Sequence, residues 1–126
     1  MSGRVVHFEI PFDDGDRART FYSDAFGWKV EEMPELDYTS VVSGPVSEEG
    51  MPLEPGFING GMFKRDNGPL SGPIITIDVE DIDSVMAKIE SAGGTAVGEK
   101  LTVGEMGFAA YFRDPEGNVV GLWQNA

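Results

Sequence analysis

An α+β fold made of two similar modules is predicted by two features of the chain. One is a gap-free internal repeat; the other is the same run of strand, helix and strands in each half. His7-Phe8-Glu9-Ile10-Pro11-Phe12 leads into Asp13-Asp14-Gly15-Asp16, a helix-like segment, then Phe26-Gly27-Trp28. Ile74-Ile75-Thr76-Ile77-Asp78-Val79 leads into Glu80-Asp81-Ile82-Asp83, another helix-like segment, then Gly93-Gly94-Thr95. A single offset of 67 residues (74 − 7) pairs Ile10 with Ile77, Asp14 with Asp81, Asp16 with Asp83 and Gly27 with Gly94. Such self-similarity marks one structural unit used twice. Module one is assigned to about residues 1–67 and module two to about 68–126, in a single domain. Activity is expected between the two.

Val5 to Phe12 alternates, with Val6, Phe8 and Ile10 on one face and Val5, His7 and Glu9 on the other, as a half-buried strand does. Asp13-Asp14-Gly15-Asp16 supplies turn and N-cap chemistry. Ala18, Phe21, Tyr22 and Ala25 then make the apolar stripe of a helix over Arg17 to Ala25, stopped by Gly27. The aromatics Phe21, Tyr22, Phe26 and Trp28 are expected to pack helix against sheet. Trp28 to Glu32, Tyr38 to Ser43 and Ile58 to Lys64 read as strands. Between the last two, Ser43 to Phe57 carries three prolines, three glycines and three glutamates, a length usual for a lid or a disordered segment. Asp66-Asn67-Gly68-Pro69 closes the module.

Module two repeats the plan. Ile74 to Val79 is a strand, Asp81 and Asp83 bracket a helix start, and Val85, Met86 and Ile89 form the helix stripe before Gly93-Gly94. Ala96 to Leu101 and Phe108 to Arg113 read as strands joined by a loop at Gly104-Glu105-Met106-Gly107. Asp114-Pro115-Glu116-Gly117-Asn118 is a turn, with proline presetting φ and glycine supplying the positive-φ position. Val119 to Gln124 is the closing strand.

Composition bounds the function. With 40% hydrophobic residues in 126, the chain can build a real core. It has no apolar run near the ~20 residues a membrane helix needs, and it enters its first strand from Met1-Ser2-Gly3-Arg4 with no signal-peptide core. Having no cysteine, it has no disulfide, thiol nucleophile or thiolate metal site. A cytoplasmic location follows by default. The 22 acids against 9 bases give a net charge of −13, which disfavours nucleic acid and anionic membranes as partners and keeps the protein soluble.

The ordered set of motifs resembles the vicinal oxygen chelate superfamily, the glyoxalase/bleomycin-resistance/dioxygenase proteins. Those motifs are the strand with His7, the helix from Asp16 to Tyr22 ending in Phe26-Gly27-Trp28, Asp78-Val79-Glu80-Asp81-Ile82-Asp83, and Asp114-Pro115-Glu116-Gly117-Asn118. Val6-His7-Phe8-Glu9-Ile10-Pro11, Asn59-Gly60-Gly61 and Gly121-Leu122-Trp123-Gln124 are similar to a bacterial subgroup of small glyoxalase-like proteins. The resemblance implies two βαβββ modules whose sheets curve around a shared cavity, paired within one chain or across a homodimer. It also implies one divalent metal, held from the first and last strands of each module. Carried onto this chain, the ligand positions are His7, Gly61, Ile74 and Gly121, of which His7 alone can coordinate. Glu9, two residues from His7 and on the same strand face, is the one neighbour able to join it. A stable metal site needs about three or four protein ligands, so no metal or other cofactor is expected.

Alternation places His7, Glu9, Ile74, Thr76 and Asp78 on the concave side with Gly61, Phe63, Gly121 and Trp123. Phe8, Ile10, Ile75, Ile77 and Val79 are then under the helices. Tyr111 or Phe112 adds another ring to the cavity, according to the parity of its strand. A cavity with an aromatic wall and a few polar groups suits a small molecule. The expected ligand-binding residues are His7, Glu9, Phe63, Thr76, Tyr111 and Trp123. His7 is either a histidine hydrogen-bonded beside Glu9 or a group for ligand binding or proton transfer. The expected function is metal-independent small-molecule binding. Its rival is a metal-dependent glyoxalase-type lyase, isomerase or dioxygenase using His7 and Glu9, and the sequence does not choose between binding protein and enzyme.

Overall fold

The computed structural model describes residues 3–36, 38–65 and 72–126. The turn expected at Asp66-Asn67-Gly68-Pro69 lies outside the described residues, as does the module boundary near 67 and 68. The fold is α+β, two βαβββ modules, as the repeat and the resemblance predict. In chain order the elements of the first are β1 (Val5–Phe12), α1 (Gly15–Phe26), β2 (Lys29–Met33), β3 (Tyr38–Val42) and β4 (Asn59–Lys64), with a short 3₁₀ turn at Pro34–Leu36. The second has β5 (Ile74–Asp78), α2 (Ile82–Ser91), β6 (Thr95–Val103), β7 (Gly107–Arg113) and β8 (Val119–Asn125). One compact unit lies within residues 7–73 and the other within residues 1–6 and 74–126.

Strand order is β2-β3-β4-β1 in the first unit and β5-β8-β7-β6 in the second. In each, the first strand runs parallel to the last, and the other pairings are antiparallel. The helix provides the crossover that a parallel pair requires. The repeat is visible at atomic level in the caps. Asp14 and Asp81, 67 residues apart, are both N-caps whose carboxylates accept from the backbone three residues on, Arg17 N at 3.1 Å and Ser84 N at 3.3 Å. Gly27 ends α1 at φ 71°, a left-handed C-cap that its lack of a Cβ permits.

The core of the second unit is the helix-side face. Val79, Ile82, Ala110 and Leu122 are buried there, with Ile77, Val85, Met86, Ile89, Phe108 and Phe112 packed against them. Phe112 therefore lies under α2, and Tyr111, one residue away, lies on the opposite face. Ile75 departs from its expected place: it is 48% exposed, because α2 covers the strand from Ile77 onward. In the first unit the helix-side face holds Met62, Val41 and Thr39, all at most 1% exposed. Helix α1 itself buries no residue completely. Phe21 and Phe26 stay more than half exposed, and the aromatic group packs largely on itself: Tyr22 stacks on Trp28 at 5.1 Å and meets Phe21 edge-on at 5.0 Å. Only Trp28 reaches a strand ring, Phe8 at 5.7 Å. The expected helix-to-sheet packing is thus partial.

The long segment between β3 and β4 is tied by its own backbone. Ser47 N donates to Met51 O at 2.8 Å and Leu53 N to Pro45 O at 3.0 Å, around a Val46–Pro52 bridge. No helix among the described residues is long and apolar enough to cross a membrane.

Candidate functional site

The register of β1, β3 and β4 gathers the polar groups of module one. His7 pairs with Asn59, Glu9 with Gly61 and Pro11 with Phe63 across β1 and β4. Ser40 pairs with Gly61 across β3 and β4. Since paired residues share a face and parity alternates, His7, Glu9, Gly61, Phe63, Ser40 and Tyr38 are on the side away from α1. Tyr38, two residues before Ser40, is a diagonal neighbour of Gly61 and reaches over it. A Cβ built on Gly61 would come within 1.9 Å of the Tyr38 hydroxyl oxygen and 2.0 Å of Cζ. The glycine admits the phenol, and any other residue there would collide with it.

That phenol joins two of the expected site residues. Its hydroxyl donates to Glu9 Oε2 at 2.8 Å and lies 2.9 Å from His7 Nε2. Glu9 is 7% exposed; buried carboxylates need such partners. Burial pushes the His7 imidazole below its ordinary value of 6.5, and the neighbouring Glu9 charge opposes this only in part. His7 is therefore a neutral ring at neutral pH. Phe63, 7% exposed, sits on the same face of β4.

On module two, Thr76 pairs with Gly121 and Asp78 with Trp123 across β5 and β8, and Tyr111 pairs with Gly121 across β7 and β8. Thr76, Tyr111, Gly121 and Trp123 thus share one face, as do Ile74 and Ala109. A Cβ on Gly121 would meet Thr76 Oγ1 at 2.9 Å and Tyr111 Cε1 at 3.3 Å. The Trp123 ring lies across Gly107, and its indole N–H donates to Asn125 Oδ1 at 2.9 Å.

Of the expected residues, the structure brings His7 and Glu9 into one hydrogen-bonded row and gathers Thr76, Tyr111 and Trp123 on one face of the other module. Tyr38 was missed from the sequence. Its signal is a glycine at an expected ligand position, with an aromatic hydroxyl opening the neighbouring strand, and it becomes legible only once β3 is in register with β4. Among the described residues, no three side chains of His, Asp or Glu gather as a metal-binding group.

Residues 4–44 match the family model described as bleomycin resistance protein-like N-terminal. A glyoxylase-like domain-containing protein of Didymella fabae is 30% identical over 124 residues, 94% of this chain and 91% of that protein. Among solved structures, a hypothetical protein of Bacillus halodurans C-125 superposes with a TM-score of 0.67 at 15% identity, over 100% of this chain and 96% of that one. Methylmalonyl-CoA epimerase from Mycobacterium tuberculosis superposes with a TM-score of 0.60 at 18% identity, over 98% of this chain and 88% of that one. At such identities the two structures speak to the fold alone.

Proposed function

The chain belongs to the glyoxalase/bleomycin-resistance/dioxygenase superfamily, and on that premise we propose that it is a metal-independent small-molecule-binding protein. The binding surface is the face of His7, Tyr38, Glu9 and Phe63 in module one; Thr76, Tyr111 and Trp123 form a separate candidate face on module two. One observation carries the reading. The Tyr38 phenol stands in the space over Gly61 and engages both donors, His7 and Glu9, that a metal would require.

The residues present do not fit the metal that the superfamily implies. Gly61, Ile74 and Gly121 bring no donor to their ligand positions, and one imidazole with one hydrogen-bonded carboxylate falls short of the three or four ligands of a stable site. What remains is a short row of orienting polar groups beside an aromatic residue, the usual composition of a small-molecule site. The net charge of −13 favours neutral or cationic ligands over anionic ones. A cytoplasmic protein, alone or as a homodimer, is consistent with this role, and light scattering would read the oligomeric state.

The test is metal content. Tag-free protein is incubated with zinc, nickel, manganese and iron, desalted and measured by elemental mass spectrometry. Far less than stoichiometric metal is expected, followed by ligand-dependent rises in melting temperature in a screen of aromatic neutral and cationic compounds. Near-stoichiometric metal that disappears in His7→Ala would overturn the reading in favour of a metal-dependent lyase, isomerase or dioxygenase.

A further inference from the structure

The directions of the two hydrogen bonds at Tyr38 decide where the single imidazole proton sits. The phenol has one proton and gives it to Glu9 Oε2 at 2.8 Å. The 2.9 Å contact with His7 therefore needs a proton on Nε2, donated to the phenol oxygen. A neutral imidazole carries one N–H, so Nδ1 is left as an acceptor. Nδ1 has no hydrogen-bond partner among the described residues. His7 is half-buried, so Nδ1 keeps its lone pair on a side chain that is not sealed in the core.

We propose that Tyr38 is a positioning residue that holds His7 in the Nε2–H tautomer, and that Nδ1 thereby selects ligands presenting an N–H or O–H donor on an aromatic or apolar body. The ligand half rests on the small-molecule-binding reading above; the tautomer half rests on the hydrogen-bond geometry and on a neutral ring. Phe63, on the same face of β4, makes the surroundings of the row apolar. The Glu9 carboxylate beneath Tyr38 disfavours anionic ligands at the same spot. A ligand whose acceptor faced Nδ1 would set two lone pairs against each other, so the site discriminates by donor and not by shape alone.

His7 is the only histidine in the chain, so a long-range ¹H–¹⁵N spectrum of ¹⁵N-labelled protein reads its tautomer without assignment. In ligand-free protein at neutral pH, Nε2 is expected in the protonated range and Nδ1 in the unprotonated range. Tyr38→Phe is expected to lose that preference while its backbone amide spectrum stays folded. Glu9→Gln, which keeps an oxygen to receive the Tyr38 proton, is expected to retain it. A purely structural role for Tyr38 would leave the tautomer untouched. Phenol and anisole then differ only by a methyl on the donor oxygen, and phenol alone is expected to shift the Nδ1 resonance. A proton on Nδ1, or a tautomer unchanged in Tyr38→Phe, overturns the positioning role and leaves the binding reading to its own tests. Equal shifts from the two probes overturn the donor selectivity. No response to either probe, with the tautomer as stated, overturns the ligand half and counts against the binding reading itself.

Discussion

The two modules put a glycine at the same place in the same strand pattern and surround it with different chemistry. Glu9 pairs with Gly61 across β1 and β4, and its repeat equivalent Thr76 pairs with Gly121 across β5 and β8. In module one the space above the glycine is taken by a phenol bonded to an imidazole and a carboxylate. In module two it is taken by a threonine hydroxyl and the edge of Tyr111. The position on β7 that corresponds to Tyr38 is Ala109, two residues before the partner of Gly121, and His7 corresponds to Ile74. Strand pairing is a matter of backbone, so a duplicated framework persists while each face diverges one side chain at a time. Module one carries the hydrogen-bonded row of His7, Tyr38 and Glu9, and module two has Thr76, Tyr111 and Trp123 on the corresponding face.

The comparison breaks most visibly at the glycines themselves. Gly61→Ala would drive a methyl to 1.9 Å from the Tyr38 oxygen, so the phenol must leave and give up both its bonds. The expected loss is about 3 kcal/mol, the upper part of the usual cost of overpacking. Gly121→Ala meets Thr76 Oγ1 at 2.9 Å and Tyr111 Cε1 at 3.3 Å, so Thr76 must shift and Tyr111 give a few tenths of an ångström, far less than the phenol over Gly61. Its expected cost is about 1 kcal/mol. Urea denaturation of both variants reads the difference. Adding Tyr38→Ala should relieve Gly61→Ala, with a coupling of about 1 kcal/mol or more between the two sites. Simple additivity would mean that the phenol does not stand over Gly61.

A smaller effect separates the hydroxyls. Tyr38→Phe removes a donor from the buried Glu9 and an acceptor from His7, and about 1–3 kcal/mol of stability should go with it. Thr76→Val keeps the shape of the equivalent module-two residue, whose hydroxyl has no hydrogen-bond partner among the described residues. Since Thr76 is buried at 6% exposure, removing that hydroxyl should be neutral or slightly stabilising. Equal costs in thermal or urea unfolding would show that the polar row of module one is not distinctive.

What the chain discloses before folding follows the range of the interaction involved. Asp14 and Asp81 are recognisable as caps because a cap bonds three residues along the same chain. The faces of β1 and β5 follow from alternation, which put His7 and Glu9 together and Ile77 and Val79 under the helix. Tyr38 could not be placed this way: its position over Gly61 depends on how β3 registers against β4, across a 43–57 segment that no local rule measures. Phe21 matched the helical period yet stays exposed, because periodicity names the face of a helix without saying how much of that face the sheet covers. Tyr111 illustrates the same limit in module two, since its parity against Phe112 appeared only with the β7–β8 register.

The smallest predicted difference is in proton linkage, where the shifted histidine of module one and the shifted carboxylates of module two titrate in different pH ranges. Burial lowers the His7 pKa below 6.5, against the opposing Glu9 charge, with the Tyr38 hydroxyl on its Nε2 and uncharged Asn59 opposite it on β4. Between the folded value and 6.5 the unfolded chain therefore binds more protons than the native one, so stability rises with pH across that window and falls as pH drops through it. In module two the lowered groups are carboxylates: Asp81, held first by the Ser84 side chain, and Asp114, held first by the Asn118 side chain. Their contribution is present above 3.8 and is lost as pH falls further, toward their folded values. Urea midpoints collected from about pH 3 to 7.5 should show two separate limbs of decreasing stability. His7→Gln should flatten the limb just below pH 6.5 and leave the acidic limb in place, while Asn118→Ala should weaken the acidic limb alone. A single limb that responds to both substitutions would mean that the two groups do not titrate independently, and the contrast between the modules would have to be redrawn.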